Sequence, residues 1–239
     1  MTVLITGSAR GLGAQIGELF EDQGSEVVYH RRNQNSTLQS RNIITADLLN
    51  KKELDAELLR IKNLGIDVQH LICNAGQSTY PRDDLSGLEN IGKALAENVI
   101  VTSNAMHSTL QHHRETLKTI TIIGSICGEE YIGGAPIEYG IAKSTLRALN
   151  KASAHYLSEM NIRCNMITPG NLMFEGSVWQ RKLLADSSAV EAYLVDNVPG
   201  GKIGVPQDIF DAILFAISEK SNFLNGANIV LDGAQTRKW

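Results

Sequence analysis

Thr2-Val3-Leu4-Ile5-Thr6-Gly7-Ser8-Ala9-Arg10-Gly11-Leu12-Gly13 is the stretch that decides the fold. It opens on β-forming residues and breaks at Gly7. After Gly11 it passes into apolar residues at helical spacing, Leu12, Ile16, Leu19 and Phe20. Glycines between a strand and a helix allow a tight turn and let backbone approach a pyrophosphate. The helix start beyond them offers unpaired N–H groups and the positive end of the helix dipole. The spacing is GxxxGxG, and three glycines alone also fit a purely structural turn. Their place at the first strand-to-helix junction is what points to a dinucleotide.

Outward from this loop, short β-rich runs alternate with helical patterns. Strands are predicted at 3–5, 26–29, 42–45, 68–73, 119–123, 162–167 and 227–231. Helices are predicted after Gly11 and over about 50–63, 85–115, 138–159 and 207–219. This alternation implies an α/β fold of Rossmann-like, doubly wound type: a parallel seven-stranded sheet with helices on both faces. No linker divides the chain, so residues 1–239 read as a single domain. The longest irregular stretch, about 169–206, is expected to be a substrate lid.

Composition narrows the function. The 239 residues are 43% hydrophobic and 20% charged, an ordinary globular mix that excludes disorder. A net charge of −4 gives no basic surplus for nucleic acid or an anionic membrane. Cys73, Cys127 and Cys164 are too widely spaced for a disulfide framework or a CxxC zinc site, so no metal is expected. Reduced thiols, the lack of a basic leader at Met1–Ile5 and the lack of about 18 consecutive apolar residues lead us to expect a cytoplasmic protein without a membrane span.

The second strand ends in His30-Arg31-Arg32-Asn33, with no acid to hold a ribose 2′-hydroxyl. Arg31 and Arg32, with Arg10 from the glycine loop, offer planar guanidinium donors suited to a 2′-phosphate. A solvated basic turn would look the same by itself. Beside the glycine loop, the reading is NADP(H) in preference to NAD(H).

Further motifs occur in a fixed order: Asp47-Leu48 after the third strand, Asn74-Ala75-Gly76 after the fourth, and Asn98 on the long helix. Ser125 follows the fifth strand, then Tyr139-Gly140-Ile141-Ala142-Lys143, then Pro169-Gly170 with Leu172, and finally Asp232-Gly233. In these motifs the chain resembles the short-chain dehydrogenase/reductase family over essentially its whole length, with 3-oxoacyl-thioester reductases among the comparisons. The resemblance implies cofactor contacts at Gly7, Arg10, Gly11, Leu12, Gly13, Arg31, Arg32, Asp47, Leu48, Asn74, Ala75, Gly76, Tyr139, Lys143, Pro169, Gly170 and Leu172. It implies catalytic roles for Asn98, Ser125, Tyr139 and Lys143, and a homo-oligomer, dimer or tetramer. Departures are the fourteen residues from Ser125 to Tyr139, where the family more often has thirteen, Phe174 at a usual threonine, and Asp232-Gly233-Ala234 for a double glycine.

These residue types suit carbonyl chemistry. Tyr139 and Lys143, four apart, share a helix face. A free phenol has a pKa of ~10, and a nearby ammonium is expected to lower it. Tyr139 would then exchange a proton with a carbonyl oxygen, and Ser125 would hydrogen-bond that oxygen. By family analogy Asn98 holds a water in a proton relay. Singly, each has a bland reading: a helix-surface pair, a turn serine, a surface asparagine. Cys127 is expected to be a packed side chain, and His112-His113 a wet helix face. The expected substrate is a small ketone or alcohol, either a 3-oxoacyl thioester or a sugar-like molecule. The latter is suggested by Trp179, Gln180, Arg181 and Lys182 in the lid and by Gln77, Ser78, Glu129, Glu130 and Asn171 beside it. The rival readings are a non-catalytic dinucleotide sensor and a structural subunit. A sensor has no need of a proton donor, which counts against it.

Overall fold

The computed structural model describes residues 1–34, 42–77 and 85–238. Ser78 lies outside them. Seven strands, β1 (Thr2–Ile5), β2 (Glu26–Arg31), β3 (Ile43–Thr45), β4 (His70–Cys73), β5 (Thr119–Ile123), β6 (Arg163–Pro169) and β7 (Asn228–Leu231), form one sheet. Its order is β3-β2-β1-β4-β5-β6-β7 and every pairing is parallel. The helices are α1 (Gly11–Asp22), α2 (Lys51–Asn63), α3 (Ile91–Leu95), α4 (Val101–His113), α5 (Ile137–Ser158), α6 (Val178–Ala185), α7 (Ser187–Asn197) and α8 (Pro206–Ile217). The doubly wound sheet expected from the sequence is therefore present.

Alternation along the strands builds two cores. Val3, Ile5, Val27, Tyr29, Ile72 and Ile167 pack with Ile16 and Phe20 of α1 and Phe210 and Ile213 of α8. Leu4, Val28, Leu71, Ile120 and Met166 pack on the other face with Leu54 and Leu58 of α2, Ala105 of α4 and Leu146 of α5. The central strands β4 and β5 are buried at every position because both faces are covered. Phe20 and Phe210 meet edge to face at 4.8 Å between centroids and join α1 to α8.

Strand order reverses between β1 and β4. Such a switch point leaves a crevice at the carboxyl ends of the strands, where open α/β sheets bind ligands. Thr6–Gly13 and Asn74–Gly76 flank it. Two elements depart from the sequence-based reading. The helix expected over 85–115 is a 3-10 segment (Leu85–Asn90), α3, a π-helical turn (Ala96–Ile100) and α4. The stretch 169–206 is not irregular, for it holds α6 and α7. Those helices lack an apolar stripe: α6 buries no residue and α7 buries only Val190. No helix among the described residues is long and apolar enough to cross a membrane.

Candidate active site

The glycine loop is shaped by close packing. Gly7 has φ +65°, and a Cβ there would lie 2.8 Å from Ala75 Cα. A Cβ on Gly13 would collide with the Asn74 amide and stand 2.7 Å from Gly7 O. Asn74 ties the two loops together, its Nδ2 donating to Thr6 O and Gly7 O at 3.1 Å each. Thr6 Oγ1 accepts the N–H groups of Asn74 and Ala75. Arg10, the residue before α1, makes no side-chain cap. The first N–H groups of α1 therefore face the crevice without a side-chain acceptor from that residue, a cradle that fits a pyrophosphate.

At the far end of the crevice, Arg32 pairs with Asp47, Nη2 to Oδ2 at 2.8 Å. Arg31 Nε donates to Thr45 Oγ1 at 3.0 Å, and Arg10 is exposed. Leu48 buries its side chain in the core, so it offers the crevice only backbone. On the opposite side, Gly170 N–H donates to Leu231 O, and a Cβ on Gly170 would meet Asp232 at 2.8 Å. Leu172 is bridged to Gly204 by bonds on either side of it, Gly204 N–H to Asn171 O and Met173 N–H to Gly204 O. Its own N–H and C=O stand outside that pairing. Phe174, at the departure from the family pattern, lies against the glycine loop: a Cβ on Gly11 would be 3.4 Å from its Cε2.

The expected catalytic residues converge at the ends of β4 and β5. Lys143, 4% exposed, donates from Nζ to Ile123 O at 3.0 Å. Its ammonium stands 5.6 Å from the centroid of the Tyr139 ring. Asn98, wholly buried, sits in the π-helical turn and donates from Nδ2 to Gln77 O at 3.1 Å and Ala94 O at 3.0 Å. Its Oδ1 has no hydrogen-bond partner among the described residues. A side chain on Gly76 would stand between Asn98 Oδ1, at 2.6 Å, and Lys143 Nζ, at 3.4 Å. Gly76 thus keeps the space between them clear. Ser125 Oγ accepts the Cys127 N–H at 3.2 Å and is hydrogen-bonded to Tyr139.

Electrostatics correct one expectation. Burial pushes the Tyr139 phenol above its ordinary value, Cys127 adds to this, and the Ser125 hydrogen bond opposes it. Burial also pushes Lys143 down to about 8. In the free protein desolvation, not the Lys143 ammonium, governs the phenol, and burial favours the neutral form of both groups.

A family model described as enoyl-(acyl carrier protein) reductase matches residues 7–236. The chain belongs to the short-chain dehydrogenase/reductase family. Among its curated relatives is the 3-oxoacyl-(acyl-carrier-protein) reductase FabG of Rickettsia typhi, 27% identical over 245 residues, covering 97% of this chain and 95% of that protein. Among solved structures, a gluconate 5-dehydrogenase from Burkholderia cenocepacia in complex with NADP and tartrate superposes with a TM-score of 0.87. It is 22% identical and covers 98% of this chain and 94% of its own. A short-chain dehydrogenase from Leptospira borgpetersenii with bound NAD+ is 25% identical, covers 99% and 92%, and has a TM-score of 0.84. As a short-chain dehydrogenase/reductase, the protein is an oxidoreductase of small-molecule alcohols and ketones.

Several of the polar residues read from the sequence as suiting a hydroxylated substrate are engaged elsewhere in this dehydrogenase/reductase. Gln180 Oε1 accepts the Gly176 N–H, Arg181 donates to Gly176 O, and Lys182 lies over Trp179 at 4.6 Å from the ring centroid. Glu129 binds Arg147, Lys238 and Asn228, and Glu130 accepts the Arg237 N–H. Asn171 donates to Gln235, which donates to Tyr193 of α7. Cys127 is partly exposed, with its thiol raised by burial, in keeping with a packed side chain. His113 is buried, not on a wet face. Sequence reasoning missed His30, whose ring bonds the glycine loop. The available signal was a polar residue directly continuing the apolar run Val27-Val28-Tyr29 of the strand.

Proposed function

We propose that the protein interconverts a ketone and a secondary alcohol with NADP(H), reduction being the favoured direction. The observation that carries this is the convergence of Asn98, Ser125, Tyr139 and Lys143 beside the crevice. The first-turn N–H groups at Gly11, Leu12 and Gly13 would hold the pyrophosphate, with Gly7 shaping the turn. Arg10, Arg31 and Arg32 would hold the 2′-phosphate, Asp47 and Leu48 the adenine, and Asn74, Ala75 and Gly76 the adenosine ribose. Pro169, Gly170 and the Leu172 backbone would border the nicotinamide, whose ribose Lys143 would bind.

When bound, the reduced nicotinamide supplies hydride to the carbonyl carbon. Tyr139 Oη gives its proton to the substrate oxygen, and burial keeps that phenol protonated and ready to donate. Ser125 Oγ, which accepts the Cys127 N–H and is hydrogen-bonded to Tyr139, would turn its O–H to the same substrate oxygen and stabilise charge there. Lys143 and Asn98, with the space kept by Gly76, return a proton to Tyr139. Residues 169–206 act as the lid of this single catalytic domain, and the enzyme works as a homo-oligomer.

The test follows reduced-nicotinamide absorbance with NADPH and NADH against 3-oxoacyl thioesters and sugar-derived ketones. Turnover of one class with NADPH is expected. Tyr139→Phe should bind NADPH normally and lose at least roughly a hundred-fold in turnover. Full activity in that variant would overturn the mechanism.

A further inference from the structure

His30 ends the buried part of β2 and is 4% exposed. Its ring lies between two segments far apart in sequence. The Gly7 N–H donates to Nδ1 at 2.9 Å, and Nε2 lies 2.9 Å from Ala46 O. A ring nitrogen that accepts from an amide carries no proton, so the imidazole proton sits on Nε2 and is donated to Ala46. Only the neutral ring with that tautomer satisfies both contacts. Burial agrees, since it holds His30 below the usual imidazole range against the pull of Ala46 and Asp47.

The backbone of His30 is fastened to the same loop. Its N–H donates to Ser8 Oγ at 2.8 Å, its carbonyl accepts the Ser8 N–H at 3.1 Å, and Ser8 Oγ donates to Ile5 O at 2.7 Å. On the other side, the Ala46 N–H donates to Arg31 O at 3.1 Å, and Asp47 follows directly with its pair to Arg32. The imidazole therefore spans from the first glycine of the loop to the turn that presents Asp47. It also occupies the Gly7 N–H. Gly7 is left as a shaping residue, and anion binding falls to the N–H groups at the start of α1.

We infer that His30 is a positioning residue for the dinucleotide, a neutral imidazole that sets the distance between the glycine loop and the Ala46–Asp47 turn. The inference rests on the cofactor reading above. His30 makes no contact with the nucleotide in this scheme; it acts through Gly7 and Ala46.

Three variants separate its two bonds. His30→Asn keeps an acceptor where Nδ1 stood and loses the donor. His30→Gln keeps a donor near Nε2 and loses the acceptor. His30→Ala loses both. NADPH affinity is measured by nucleotide fluorescence, with the thermal unfolding of each free variant recorded alongside. His30→Ala should weaken NADPH roughly ten-fold or more, and His30→Asn or His30→Gln should recover part of that loss. Should His30→Ala fail to fold, the two polar variants decide: weaker NADPH binding in at least one supports the role. Wild-type affinity in both, or in His30→Ala, overturns it. If the wild-type protein binds neither NADPH nor NADH, the cofactor reading itself fails and the positioning role falls with it, an outcome distinct from wild-type binding that the variants leave unchanged.

Discussion

Lowering the pH from 7 to 5 should cost this protein about 2 kcal/mol through His70 alone. His70 lies in β4, 6% exposed, with Nδ1 2.8 Å from Thr119 Oγ1 on the paired strand. Burial first, then the charges of Lys118, Arg163 and the N-terminus, lower its pKa from 6.5 to about 4. The folded state thus resists a proton that the unfolded chain accepts below 6.5. Stability from this group is full above that value and is lost as pH falls toward about 4. At pH 5 the unfolded imidazole is almost fully protonated and the folded one is not, which sets the magnitude. Urea unfolding at pH 7 and pH 5, at one protein concentration, measures it. His70→Asn keeps a polar atom near Thr119 and does not titrate, so its loss over the same interval should be smaller by about 2 kcal/mol. An equal loss in both proteins would refute the argument that desolvation of this imidazole governs acid sensitivity.

Three further outcomes are expected. Because burial lowers Lys143 to about 8, kcat/KM for ketone reduction should fall as pH rises through that region, and a flat profile to pH 9.5 would contradict a required ammonium. Arg31→Asp should weaken NADPH roughly ten- to hundred-fold and should not weaken NADH, whose ribose 2′-hydroxyl an acid can accept; equal NADPH affinity would remove Arg31 from the phosphate site. Light scattering should give two or four times the chain mass. The exposed Phe215 and Phe223 near edge strand β7 support self-association, and a monomer would defeat it.

The central sheet was legible because its strands are β-branched or apolar and buried on both faces, as in Thr119–Ile123, and because glycine breaks mark several of their ends. The site was legible to the extent that its residues follow strands at short range: Asn74 after β4, Ser125 after β5. Helices α6 and α7 were hidden since helical periodicity comes from burying one face, and theirs bury almost nothing. Their caps were the available sign, Ser177 bonding the Gln180 N–H and Asp186 the Ala189 N–H. Spacing put Lys143 beside Tyr139 but said nothing of depth, and depth controls both pKa values. Likewise, residue types in and beside 169–206 suggested a polar substrate, yet several of those groups are bonded elsewhere in the chain, Glu129 to Arg147 and Asn171 to Gln235 among them. Side-chain partners across 60 residues or more, such as Asn171 with Gln235, have no local signature.

The five-residue turn at Ala96–Ile100 changes the phase of a helix. Its closing bond runs from the Val101 N–H to the carbonyl of Ala96, five residues back. One residue more than the α pitch requires steps the preceding segment by about 100° around the axis. That step lets Ala94 face Ala142 on α5 while Ala105 and Met106 face the core beneath the sheet. It also aims Asn98 at Gly76 and Lys143. Reading frame along the helix is thus part of the site: deleting Ala96 or Glu97 would leave Asn98 and the other site side chains chemically intact and swing Asn98 out of line.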